Sequence, residues 1–110
     1  NIAIDAHHET MVTSGATEAL LAIINAGDEV VLFQPTYDAY LPLVLRAGGI
    51  PRFVNLKPPY WASERENIQL AFNERTEAVV FNNPLYPCAS VFSYEQHVLL
   101  AEFCKVYDAI

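Results

Sequence analysis

The clearest chemical signal in the sequence is TSGATEAL, residues 13–20, where a predicted strand runs into small residues and then a helix. Ser14, Gly15 and Ala16 let the backbone approach a ligand closely, and the helix that begins near Thr17 directs the N–H groups of its first turn at the same point. The helix dipole adds partial positive charge, and the two hydroxyl groups add hydrogen-bond donors. The pattern indicates an anion site suited to a phosphate group. A capped helix start without a ligand is the alternative.

A second candidate is the loop NNPLYPCASVF, residues 82–92, which follows an apolar strand and precedes a helix. Loops at the carboxyl ends of parallel strands carry the chemistry of many α/β proteins. Cys88 lies ahead of a helix N-terminus that could stabilise a thiolate, and His7, His8 and His97 are available as bases, so a thiol hydrolase is one interpretation. The alternative is that Cys88 is a small packing residue. We expect no metal site, because adjacent histidines on an extended arm point in opposite directions.

Composition excludes several classes of function. The chain has 110 residues with a net charge of −7 and only six Lys and Arg, so nucleic acid is not the expected partner. No apolar run reaches the roughly 18 residues that a membrane-spanning helix needs. Cys88 and Cys104 are too few for a disulfide framework and indicate thiols in a reducing compartment, so we expect a cytoplasmic protein.

Hydrophobic patterning predicts strands that alternate with helices, joined by short Gly, Pro and Asp turns. The predicted strands are 10–14, 29–33, 51–56, 78–81 and a fifth that begins at 107. The predicted helices are 17–26, 37–47, 67–73 and one capped by Ser93 together with Gln96. Alternation of this kind predicts an α/β fold, a three-layer α/β/α sandwich with a mainly parallel sheet of four to five strands. Residues 1–110 form a single domain in this interpretation.

These segments, in this order, resemble the large domain of class I/II aminotransferases, the pyridoxal-phosphate (PLP) enzymes of fold type I. The resemblance is carried by VTSGATEALLAIINAGDEVVLFQPTYDAY, TEAVVFNNPLYP and VFSYEQHVLLAEFCKVYDAI, and it extends over about 10–110. It implies PLP as the cofactor, with Gly15, Ala16 and Thr17 binding the phosphate group. It also implies that the ring of Tyr37 stacks on the pyridine of the cofactor, as a flat π-face can.

The sequence departs from the family at two points. Where the family has an Asn that donates a hydrogen bond to the phenolic oxygen of the cofactor, this chain has Tyr86, whose ring is far larger. The family's Schiff-base lysine has no counterpart either, since Lys57 and Lys105 match no motif. We therefore expect residues 1–110 alone not to catalyse transamination.

The chain begins without Met and stops at Ile110 within an apolar pattern, which suggests a portion excised from a longer protein, whether natural or engineered. In the family, later strands lie between the strands predicted here at 78–81 and 10–14. We therefore expect either a re-paired sheet, a homodimer, or association with the rest of the domain. A stand-alone scaffold or dimerising module without cofactor is the alternative function.

Overall fold

A computed structural model describes residues 3–110, so the predicted domain extends two residues beyond the described part. Strands and helices alternate along the chain, as the hydrophobic pattern predicts. The elements are α1 (Gly15–Ile23), β1 (Glu29–Gln34), α2 (Tyr40–Arg46), β2 (Ile50–Asn55), α3 (Arg65–Ala71), β3 (Thr76–Val80) and α4 (Tyr94–Tyr107). None of the helices in residues 3–110 combines the length and the apolar character that crossing a bilayer requires.

The sheet is parallel, with the strand order β2-β1-β3. Its central strand is the apolar run EVVLFQ, in which the first five residues are buried. Leu32 lies opposite Phe53 of β2 and Val80 of β3, so the register brings the carboxyl ends of all three strands to one edge. Pro51 is tolerated in β2 because this strand is paired on one side only.

Helices cover both faces of the sheet, which confirms the three-layer α/β fold. Val31 and Phe33 of β1 face one core, which also contains Leu100 and Phe103 of α4 and residues of α3. The alternate residues of β1 face a second core that includes Val44 of α2. Side chains that alternate between two apolar cores explain why β1 reads as a continuous hydrophobic run.

The prediction of four to five strands is wrong for the described part of the chain, which has three. Residues 10–14 form no strand, and Val12 is 95% exposed. A strand needs a neighbour for its backbone hydrogen bonds, and within residues 3–110 no strand pairs with this segment. The re-paired sheet is therefore wrong as well. At the other end of the chain, Val79 N–H donates to Ile110 O and Ile110 N–H donates to Glu77 O, so the start of the predicted fifth strand lies beside β3 without forming a strand.

Two helix boundaries follow the predicted signals closely. Ser93 caps α4, because its hydroxyl group accepts from the Gln96 N–H while the Gln96 side chain accepts from the Ser93 N–H. This reciprocal capping box was predicted from the spacing of the two residues. Gly48, at φ 82°, follows α2 in the left-handed conformation that favours glycine.

The amino end of the sheet holds a buried charge. The Glu29 side chain is 1% exposed and begins β1. Asn73 donates to Glu29 Oε2 at 2.7 Å, and Arg52 Nε lies 3.3 Å from the same oxygen. Arg75 Nη2 lies 2.5 Å from Oε1, which pairs the charges although the two groups are not aligned as a hydrogen bond. A buried carboxylate requires such partners, and here they connect β1, β2 and the turn before β3.

Candidate functional site

The loops after β1 and β3 meet at the carboxyl edge of the sheet, because these strands are adjacent and parallel. Tyr37 follows β1 and Tyr86 follows β3, and their ring centroids lie 5.6 Å apart at an interplanar angle of 72°. Tyr40, the first residue of α2, packs against Tyr37 in the same edge-to-face manner at 5.4 Å. Tyr37 and Tyr86 are 44% and 58% exposed, so both rings also face solvent. The structure thus brings two of the predicted site residues into contact.

Two buried side chains hold the loop that carries Tyr86. Leu85 and Phe92 are 3% and 7% exposed and belong to the core under α4. Leu85 N–H donates to Ser90 O at 2.7 Å, and Ala89 N–H donates to Leu85 O at 2.8 Å. The loop is therefore closed on itself, and its exposed tyrosine stands directly beside a core residue.

Asn83 and His97 form a hydrogen-bond network that sequence reasoning missed. Asn83 Oδ1 accepts from the Phe92 N–H at 3.2 Å, and its amide nitrogen lies 3.2 Å from His97 Nε2. His97 Nδ1 lies 2.7 Å from Ser93 O, which can only accept, so Nδ1 carries the proton and Nε2 accepts from the amide. The network joins both ends of the loop to the first turn of α4. The asparagine before Pro84 was the available signal, since such residues often bond to nearby backbone.

The predicted phosphate turn lies at the start of α1. Gly15 has φ 77°, and no atom would lie within 4 Å of a Cβ there, so the backbone is open to a ligand. Gly15 N–H already donates to Thr13 O at 2.9 Å, whereas the N–H groups of Ala16 and Thr17 belong to the first helical turn and have no intrahelical acceptor. All three predicted residues are exposed. Their helix packs against α2, whose first residue is Tyr40.

Glu18 is a second residue that the sequence interpretation missed. Its carboxylate accepts a hydrogen bond from the Ser14 N–H, so it supplies a negative charge to the N-terminus of its own helix. The carboxylate is stabilised there by the same helix dipole that would attract a phosphate group, but it leaves the N–H groups of Ala16 and Thr17 free. A phosphate group at those two N–H groups would be repelled by the nearby negative charge of Glu18. An acidic residue in the first helical turn was the signal for this contact.

The geometry does not support the thiol hydrolase interpretation, in which a histidine would act as the base for Cys88. Both ring nitrogens of His97 are used by Ser93 and Asn83, and His8 pairs with Asp5 at 2.8 Å. Within residues 3–110, no hydrogen bond links Cys88 to a histidine; its side chain is partly buried against the core of α3 and α4. That part of the chain also contains no group of three side chains placed to ligate a metal ion.

Comparison with known proteins defines the class. All of residues 1–110 match the family model described as aminotransferase class I and II. The chain therefore belongs to the class I and II aminotransferase family, whose members depend on PLP in general. The segments that carried the resemblance in the sequence and the parallel sheet in the structure agree with this family.

The relatives are full-length aminotransferases. The chain is 36% identical over 121 residues to the human kynurenine–oxoglutarate transaminase 3, covering 97% of this chain and 27% of that protein. It is 38% identical over 110 residues to the methionine aminotransferase of Escherichia coli K12, covering 96% and 27%. The N-succinyldiaminopimelate aminotransferase structure from Mycobacterium tuberculosis superposes with a TM-score of 0.82 at 33% identity, over 89% of this chain and 27% of that one. The chain thus spans about a quarter of the length of these relatives.

The residues present fit PLP in chemical type. The open turn at Gly15 supplies backbone donors for a phosphate group, and Tyr37 supplies a partly exposed aromatic ring at the carboxyl edge of the sheet. Two features of this chain modify the fit: the Glu18 carboxylate accepts from the Ser14 N–H at the start of α1, and the resemblance implies an asparagine at the position of Tyr86.

Proposed function

We propose that residues 1–110 are the part of a PLP-dependent aminotransferase that binds the phosphate group and one face of the pyridine ring. Gly15, Ala16 and Thr17 would hold the phosphate group, and the ring of Tyr37 would stack on the pyridine. The observation that carries the proposal is the contact between Tyr37 and Tyr86, because it joins the loops after two adjacent parallel strands at the edge where α/β proteins bind ligands.

In this proposal the residues of the chain bind and orient the cofactor. When bound, PLP supplies an electron-withdrawing ring that stabilises negative charge on a substrate carbon. The turn at α1 would hold one end of the cofactor, and Tyr37 would orient its ring. Lys57 follows the edge strand β2 and Lys105 lies in the last turn of α4, so neither is in the loops that form the site. The chain alone is therefore not competent for transamination.

The complete protein would transfer an amino group between an amino acid and a 2-oxo acid. The name of the human kynurenine–oxoglutarate transaminase 3, which is 36% identical to the chain, describes a reaction of this kind. The names of two relatives contain different amino acids, kynurenine and methionine. The proposal therefore names the substrate only as an amino acid.

Binding of pyridoxine 5′-phosphate tests the proposal, because this analogue has no aldehyde and cannot react with lysine. We expect Thr17→Val and Tyr37→Leu each to weaken its affinity about 2- to 12-fold, the range of one hydrogen bond or one aromatic contact. Thr10→Val, in an exposed segment outside the site, is the matched control and leaves affinity unchanged. Equal affinity in all four proteins would contradict the assignment of the site.

A further inference from the structure

Tyr86 stands where the family has an amide, yet its contact in the structure is aromatic. Its ring packs edge-to-face against Tyr37 at a centroid distance of 5.6 Å. Tyr37 also packs against Tyr40 at 5.4 Å, so the ring assigned to cofactor stacking has two aromatic neighbours. These neighbours come from separate segments, one from the start of α2 and one from the loop after β3.

The position of Tyr86 is fixed independently of any ligand. The preceding residue, Leu85, is 3% exposed and hydrogen-bonds to Ser90 across the loop. Asn83 ties the same loop to the start of α4 through Phe92 and His97. Because the buried Leu85 and the closed loop already hold the backbone at Tyr86, little conformational entropy is lost there when a ligand binds. This makes Tyr86 suited to support a neighbouring ring.

We propose that Tyr86 is a positioning residue that acts through its ring: it fixes the orientation of Tyr37, and its hydroxyl group does not replace the amide of the family. This inference rests on the proposed cofactor site. An edge-to-face pair favours a defined angle between two rings. A Tyr37 ring held by two such contacts has a defined orientation toward a flat aromatic ligand.

Three substitutions separate the ring from the hydroxyl group. Tyr86→Phe keeps the ring alone, Tyr86→Leu removes both groups, and Tyr86→Asn restores the family amide without a ring. For pyridoxine 5′-phosphate we expect Tyr86→Phe to stay within about twofold of wild type. We expect Tyr86→Leu and Tyr86→Asn to bind about 2- to 12-fold more weakly, the range that aromatic pairs contribute. Circular dichroism of each variant confirms that it is folded.

A second readout needs no cofactor. In the free chain, the NMR ring protons of Tyr37 should show a ring-current shift that is unchanged in Tyr86→Phe and reduced in Tyr86→Leu and Tyr86→Asn, in which Tyr40 is the aromatic neighbour that remains. Loss of affinity in Tyr86→Phe equal to that in Tyr86→Leu would overturn the inference in favour of the hydroxyl group. Tighter binding by Tyr86→Asn would overturn it by identifying the ring as an obstruction. A wild-type chain that binds no analogue would instead overturn the proposed function, while the shift still decides whether the rings are paired.

Discussion

At the scale of single residues, Glu18 places a negative charge at the start of α1, where the proposed phosphate turn lies. Its carboxylate accepts from the Ser14 N–H at the point where the helix dipole favours negative charge. We expect Glu18→Gln to increase the affinity of the chain for inorganic phosphate about 2- to 5-fold, because a competing charge worth about 1 kcal/mol is removed. Isothermal titration with phosphate measures the change.

The matched control is Glu66→Gln, which removes a carboxylate from the first turn of α3. It alters the total charge equally and should leave phosphate affinity unchanged. An equal gain in both variants would show that net charge alone sets the affinity and that Glu18 has no local role.

Cys104 carries a pH prediction. Burial raises the pKa of its thiol above the ordinary value of about 8.5. The unfolded chain therefore releases this proton at a lower pH than the folded chain, and stability must fall as the pH rises above about 8.5. Urea unfolding between neutral and alkaline pH measures this slope. We expect Cys104→Ala to reduce the slope, and an unchanged slope in that variant would contradict the account.

At the scale of elements, α4 depends on its N-terminal cap. Ser93 and Gln96 satisfy each other's backbone N–H groups, so Ser93→Ala should lower the free energy of unfolding by about 1 kcal/mol. Ser63→Ala is the control, since Ser63 also stands just before a helix but accepts no cap hydrogen bond. Urea denaturation compares the two. Equal losses would mean that the capping box contributes nothing specific.

The sheet depends on the partners of its buried carboxylate. Asn73→Ala removes the hydrogen bond to Glu29 and should cost about 1.5–3 kcal/mol of unfolding free energy, the range for bonds to charged groups. Arg75→Ala should cost less, because 74% of that side chain is exposed to solvent, which screens the pair. Chemical denaturation of both variants gives the order of the two losses, and the reverse order would contradict this assignment.

The elements themselves were largely predictable from the sequence. β1 and α4 follow from an apolar run and from capping chemistry, both of which are local signals. Residues 10–14 have the composition of a strand, but a strand also requires a neighbour, and that information is not local. The network around Glu29 could not be predicted either, since Arg52 and Asn73 are distant in sequence and meet it only through the register of the sheet.

The candidate site was predictable in part for the same reason. That Tyr37 and Tyr86 each follow a strand was visible in the sequence, but their contact depends on β1 and β3 being adjacent. The assignment of Gly15, Ala16, Thr17, Tyr37 and Tyr86 to a cofactor remains a prediction.

At the scale of the whole molecule, the amino-terminal segment offers a surface for association. Met11 and Val12 are 57% and 95% exposed, and the backbone of residues 10–14 is not paired in a sheet. Exposed apolar residues on a strand-like segment favour pairing with another chain. We expect residues 1–110 to form a dimer whose population rises with concentration, as measured by light scattering after gel filtration.

A pair of substitutions tests this surface. Val12→Asp should shift the chain toward the monomer, whereas Thr10→Asp adds the same charge at a nearby polar position and should have a smaller effect. A wild-type chain that stays monomeric at every concentration would contradict the predicted association.

The most direct test of the cofactor site compares pyridoxine 5′-phosphate with pyridoxine, which lacks the phosphate group, in titrations of the wild-type chain. The account predicts saturable binding of the phosphorylated compound, competition by inorganic phosphate, and much weaker binding of pyridoxine. These results would show that the phosphate group contributes to binding at a specific site, as the proposed phosphate turn requires. Equal binding of the two compounds, or no binding at millimolar concentration, would contradict it.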